Sequence, residues 1–107
     1  MKNITEKEWS ELLAKDDNAI IIDCRTPKEW SAGVIENSIL MDINSPQPFM
    51  SKADALDKEK NYYVYCRSGV RSVQACHVLE RNGVKIIYNL LGGISFWNGK
   101  MVLPKTK

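Results

Sequence analysis

Histidine is nearly absent from this chain and cysteine is scarce: one His (His77) and three Cys (Cys24, Cys66, Cys76) among 107 residues. One imidazole leaves a classical zinc site short of ligands unless carboxylates or a second chain supply them. The odd cysteine count, with no Cys-x-x-Cys pair, argues against a disulfide scaffold. No apolar run approaches the ~18 residues of a membrane helix. Met1–Glu8 has no apolar stretch behind its charges, which argues against a signal peptide. Charge of one sign is lacking too. Fifteen Lys and Arg against thirteen Asp and Glu leave +2, too weak a balance to indicate a nucleic-acid partner or an anionic membrane. There is no internal repeat and no low-complexity tract. Gly92-Gly93 lacks the third glycine of a dinucleotide fingerprint. These absences leave one domain, 1–107, with a core over about 4–99 and a basic tail, 100–107, whose end from Met101 onward is expected to fray. Free thiols fit a reducing cytoplasm, and the question is whether one of them is reactive.

Four short apolar runs read as strands: Ala19–Asp23, Ile39–Ile43, Tyr62–Cys66 and Lys85–Leu90. Helical segments lie between them. Thr5 with Glu8, and Thr26 with Glu29, are capping boxes, the second with Pro27 at the first helical position. A helix is predicted over Gly69–Asn82, stopped by Gly83, with shorter ones over Phe49–Leu56 and Ile94–Trp97. Strands alternating with helices predict an α/β fold with a mainly parallel sheet. Ligands bind such sheets beyond the carboxyl ends of the strands. Asp23-Cys24-Arg25 and the segment from Cys66 onward both stand there.

The segment Cys66-Arg67-Ser68-Gly69-Val70-Arg71-Ser72 carries the chemistry. A cysteine ends a buried strand, and a helix starts a few residues later. The intervening N–H groups can close around one point as an anion-binding nest, to which the helix N-terminus adds its dipole. Gly69 permits a dihedral that other residues resist, and Arg67 and Arg71 add positive charge. Each feature favours the Cys66 thiolate over the thiol, which makes it a nucleophile for an anionic substrate. A buried strand-end cysteine is often mere packing, but packing does not account for two arginines and a glycine in the next five positions.

In Ile22-Asp23-Cys24-Arg25, Glu29-Trp30 with Gly33 and Ile35, the Cys66–Ser72 loop, and Leu91-Gly92-Gly93-Ile94 with Trp97, the chain resembles a single rhodanese-homology domain, a sulfurtransferase module. The resemblance implies a five-stranded, mainly parallel sheet with helices on both faces. It implies that Cys66 takes a sulfane sulfur from thiosulfate or a persulfide and passes it to a thiol or cyanide, with no metal and no organic cofactor. Arg67, Ser68, Gly69, Val70, Arg71 and Ser72 would stabilise the persulfide. Arg71 would anchor the loop or orient the donor, and Arg67 would face outward to steer anions or an acidic sulfur-carrier protein. Asp23 and Arg25 match an Asp-x-Arg pair that supports the pocket. Rhodanese-like phosphatases place five residues between cysteine and arginine, whereas four separate Cys66 from Arg71, so a phosphatase or arsenate reductase is the weaker reading. A partner-binding or thiol redox-sensing module is the other alternative.

The remaining candidates have plainer readings. Cys24 stands where the family has an apolar residue. It could be a resolving thiol for Cys66, but strand alternation sends it to the face opposite Asp23 and Arg25, which favours packing. Cys76, with Val73 and Leu79 on its helix face, reads as core, and His77 as an exposed helix residue. Trp30, Phe96 and Trp97 read as core or pocket rim. Gly33-Val34-Ile35-Glu36-Asn37 departs from the family's Gly-His-Ile-Pro-Gly, which bears on substrate contacts.

Overall fold

The computed structural model describes residues 1–104. In chain order the elements are β1 (Lys2–Ile4), α1 (Glu6–Lys15), β2 (Ala19–Asp23), α2 (Pro27–Ala32), β3 (Val34–Ile35), β4 (Ser38–Leu40), α3 (Pro46–Ala55), β5 (Asn61–Tyr65), α4 (Arg71–Arg81), β6 (Ile86–Leu90), a 3-10 turn (Gly93–Phe96) and β7 (Met101–Val102). Five strands form one sheet in the order β1-β6-β5-β2-β4, all parallel. The fold is the mixed α/β, five-stranded architecture that the resemblance implies. Parallel neighbours require crossovers, and the helices that make them cover both faces.

Alternation along the central strands divides the core in two. Ile22, Cys24, Tyr62, Val64 and Cys66 point to one face, where Phe49 and Ala53 of α3 and Ala75, Cys76 and Leu79 of α4 close over them. Ile21, Tyr63 and Tyr65 point to the other, against Trp9 of α1. Trp9 is fully buried and packs edge-on to Trp97 at 5.6 Å. Both capping boxes form: Glu8 N donates to Thr5 Oγ1 at 3.2 Å and Glu29 N to Thr26 Oγ1 at 3.3 Å. Gly83 ends α4 at φ 92, as its place after the helix predicts.

Several expectations need correction. The helix after the cysteine begins at Arg71, two residues later than predicted, because Gly69 takes φ 93 and is spent in the loop. The run at Ile39–Ile43 is a strand only over Ser38–Leu40, where it pairs with Ile21–Asp23. The helix predicted over Phe49–Leu56 starts earlier, at Pro46, and ends at Ala55. Three strands have no counterpart in the sequence reading: β1, β3 and β7. The tail does not fray from Met101, since Met101–Val102 pair antiparallel with Val34–Ile35; its last three residues lie outside the described ones. Phe96 is not core: it is 73% exposed and lies over Gly92. Asn37, in the last position of the segment that departs from the family pattern, holds φ 73, a left-handed conformation that asparagine tolerates better than most side chains.

Candidate active site

β5 carries Cys66 to the carboxyl end of the sheet, and the chain then curls back over the sulfur. Gly69 N–H donates to Cys66 Sγ at 3.0 Å and Ser72 N–H at 3.4 Å, while Ser72 Oγ lies 3.3 Å away. Ser72 is fully buried in the first turn of α4, so its N–H belongs to the free donor set of a helix start. Cys24 lies in the same buried cluster as the sulfur. Together the Cys24, Ser72 and Gly69 hydrogen bonds hold the Cys66 thiol well below its ordinary range, against the opposing effect of burial. These bonds, rather than the two arginines, dominate the effect.

The loop is held from behind by the turn after β6. Ile94 N–H donates to the Cys66 carbonyl at 3.0 Å, and Ser95 N–H and Oγ donate to the Arg67 carbonyl at 3.0 and 2.7 Å. With its carbonyls drawn backward, the loop can turn N–H groups toward the sulfur. Gly93 makes this contact possible: a Cβ there would stand 2.5 Å from the backbone of Cys66 and Arg67. Asn89, 1% exposed, donates to the Gly69 carbonyl at 3.3 Å and to Asn3 Oδ1 at 2.8 Å.

The arginines divide their tasks. Arg71 makes a two-point ion pair with Glu29, Nη1–Oε1 2.8 Å and Nη2–Oε2 2.9 Å, tying the end of the loop to α2. That bond, ahead of the Thr26 donors, holds the Glu29 carboxyl down at about 2. Arg67 is exposed, as are Ser68 and Val70 at the loop tip. Arg25 is buried and committed to Asp23 through its backbone N–H (3.0 Å), Nε (2.9 Å) and Nη2 (2.7 Å), and to the Gly33 carbonyl (2.7 Å). Tyr65 Oη donates to Asp23 at 2.8 Å, so the carboxylate is fully engaged. A pocket of about 540 Å³ opens beside the loop, lined by Arg25, Glu29, Ala32, Arg67, Ile94 and Ser95. A second cavity, of about 460 Å³, involves no residue of the cysteine loop.

Of the residues singled out in the sequence, Cys66, Gly69 and Ser72 meet at the sulfur, and Arg25 and Arg67 line the pocket beside it. Cys24 does lie opposite Asp23 and Arg25, but its face is the one that holds Cys66. Cys76 is buried and pushed up by that burial, and His77 is exposed on α4. The sequence offers no signal for Asn89 or Ser95 as parts of the site; Glu29 carries one as half of a capping box, and Gly93 carries one in the Gly92-Gly93 turn that the resemblance includes.

A family model described as Rhodanese-like domain matches residues 5–100. The chain is 33% identical over 97 residues to a sulfurtransferase of Allochromatium vinosum, spanning 91% of this chain and 88% of that protein. It is 32% identical over 114 residues to a tRNA uridine(34) hydroxylase of Chlamydia caviae, but spans only 34% of that protein's length. Among solved structures it resembles a rhodanese-like domain protein from Staphylococcus aureus (28% identity, TM-score 0.83, 98% of this chain and 100% of that one). A rhodanese-related protein from Thermoplasma volcanium is similar (29%, TM-score 0.82, 97% and 100%). The chain belongs to the rhodanese-like domain family.

Proposed function

We propose that this protein is a sulfurtransferase that carries a sulfane sulfur on Cys66. The observation that supports the reading most is the pair of backbone N–H groups, from Gly69 and Ser72, aimed at Cys66 Sγ. The Cys66 thiolate attacks the outer sulfur of thiosulfate, the S–S bond of the donor breaks, and sulfite leaves with its electron pair. Cys66 then bears a persulfide anion. Loop N–H groups and the start of α4 stabilise that charge as preorganised donors stabilise an oxyanion. A thiol, or cyanide in an assay, takes the outer sulfur and returns Cys66 to the thiolate. No step in this cycle needs a metal.

Cys66 is fully buried in this conformation, and Arg67, Ser68 and Val70 are the exposed residues of the loop that follows it. Arg67 is the cation best placed to draw an anionic donor or an acidic carrier protein into the pocket, because Arg71 and Arg25 are neutralised by Glu29 and Asp23. The four-residue spacing to Arg71 suits one sulfur atom rather than a phosphate. Neither a nucleic acid nor a membrane is assigned as a partner; no helix among the described residues is long and apolar enough to cross a bilayer. Three free thiols fit a reducing, cytoplasmic setting.

Intact-protein mass spectrometry after incubation with thiosulfate, and separately with glutathione persulfide, tests the reading. The expected result is a gain of one sulfur atom, reversed by cyanide and absent from Cys66→Ala. No gain from either donor overturns it.

A further inference from the structure

Three thiols lie in one buried cluster, and the proposed transfer cycle uses one of them. Cys24 is the notable second. The β2–β5 ladder pairs Ile22 with Val64 and Asp23 with Tyr65, which sets Cys24 beside Cys66 at the next step. The Cys24 N–H donates to the Tyr65 carbonyl at 3.0 Å, so the parallel pairing extends to these two residues. Neighbouring strands run about 4.8 Å apart, inside the Cα separation of ~4.4–6.8 Å that a disulfide accepts. Alternation turns both side chains to the same face, and both residues are fully buried in the same cluster. Backbone bonds hold both positions, Ile43 N–H to the Cys24 carbonyl at 3.2 Å and Ile94 N–H to the Cys66 carbonyl at 3.0 Å. Cys24 lies on the core side of the sulfur; the loop N–H groups hold the other side.

We infer that Cys24 and Cys66, side by side at the ends of β2 and β5, are a dithiol site that closes into an intramolecular disulfide when a hydroperoxide oxidises Cys66. The Cys66 thiolate attacks the peroxide oxygen, the O–O bond breaks, and Cys66 becomes a sulfenic acid while the peroxide leaves as alcohol or water. Cys24 then attacks Cys66 Sγ from the core side. The S–S bond forms, the S–O bond breaks, and the departing hydroxide takes the Cys24 proton as water. The peroxide is reduced and the two thiols are oxidised. A dithiol reductant reverses the change. Closure blocks the sulfur carrier without destroying it, because a Cys66 held as a disulfide does not advance to the irreversible sulfinic acid. Neither step requires sulfur transfer, so this site stands whether or not the chain loads sulfane sulfur.

Hydrogen peroxide at one equivalent, followed by alkylation and non-reducing peptide mapping of the full chain, tests the inference. The expected product is a Cys24–Cys66 linked peptide with Cys76 alkylated, erased by dithiothreitol with return of the Cys66 thiol. Given a second equivalent of peroxide, Cys24→Ser is expected to go on to Cys66 sulfinic acid that dithiothreitol does not recover, and Cys76→Ala to form the same linkage as wild type. A wild-type map showing Cys66 sulfenic or sulfinic acid beside a free Cys24, or only a Cys66–Cys66 link between chains, overturns it. The wild-type map decides the matter even if a Cys24 variant folds poorly.

Discussion

Two cysteines stand at neighbouring strand ends, and each is followed at once by an arginine: Cys24-Arg25 after β2 and Cys66-Arg67 after β5. Both are fully buried in the same cluster. Their ionisation nevertheless diverges. Cys66 is held low by hydrogen bonds, while Cys24 is pushed far up, first by hydrogen bonding to Cys66 and then by burial. The adjacent arginines do not explain the difference. Arg25 is consumed by Asp23, and Arg67 faces solvent. What separates the two is the path of the chain afterwards: the segment after Cys66 bends back and donates N–H groups to the sulfur. A reactive thiolate is thus built by the loop and helix start that follow it more than by a nearby formal charge.

The strongest way to break this contrast is to unseat the loop. In Gly93→Ala, the new Cβ would meet the backbone of Cys66 and Arg67 at 2.5 Å, and that backbone has no flexible end to yield. The loop must move off the turn, taking its N–H donors from the sulfur. Sulfur loading is expected to fall by about a hundredfold, the cost of losing one preorganised donor. Overpacking should cost about 1–3 kcal/mol in urea denaturation. Normal loading in this variant would mean that the clamp between the turn and the loop is not what aims the donors.

A finer test moves the proton. The rate of Cys66 alkylation by iodoacetamide against pH should show a midpoint well below the ordinary thiol value of ~8.5, because the thiolate is the reacting form. In Cys24→Val the largest hydrogen bond to that thiolate is gone. A bond to a charged group is worth ~1.5–3 kcal/mol, so the midpoint should rise by about one to two units. An unchanged midpoint would show that the loop alone sets the ionisation of Cys66.

How far this arrangement was legible follows from what is contiguous in the chain. The Cys66–Ser72 segment announces itself because strand end, glycine, arginines and helix start are consecutive. The capping boxes at Thr5 and Thr26 are legible for the same reason. The partners that make the site work are distant: Glu29 meets Arg71 across 42 positions, and Ser95 meets Arg67 across 28. Neither pairing leaves a local pattern. Alternation placed Cys24 on the right face, yet its contact with Cys66 depends on β2 lying beside β5, and strand order is not a property of either run. β1 was missed because only Ile4 of its three residues is buried, too little to register as a strand. β7 is two residues long and exists only through its pairing with β3.

The Glu29–Arg71 pair gives a smaller effect with a definite sign in pH. The folded carboxyl sits at about 2, below the ordinary glutamate value. Its contribution is therefore complete above pH ~4.3, the unfolded value, and is lost as pH falls toward 2. With both side chains about one-quarter exposed, the pair should contribute up to about 1 kcal/mol. Thermal melts of wild type and Glu29→Gln should differ at pH 7 and converge near pH 2. A difference that persists at pH 2 would assign the effect to the Thr26 cap rather than to the charge.

Asn89 offers the most delicate adjustment of the contrast between the two cysteines. Its amide bridges Asn3 in β1 and the Gly69 carbonyl, while its own Oδ1, though buried, has no hydrogen-bond partner. A strand residue that leaves a buried acceptor unpaired costs stability, which suggests that its donor is held for the loop. The bond fixes the peptide leaving Gly69, and with it the dihedrals that aim the Gly69 N–H at Cys66. Asn89→Leu removes the donor and relieves the unpaired oxygen together, so the fold should hold its stability or gain slightly. Loading should fall about fivefold, the equivalent of ~1 kcal/mol for a neutral hydrogen bond. The Cys66 midpoint should rise, and nothing at Cys24 should change. If the variant loads sulfur at the wild-type rate with an unmoved midpoint, the loop owes its shape to the Gly93 clamp and the Arg71 anchor alone.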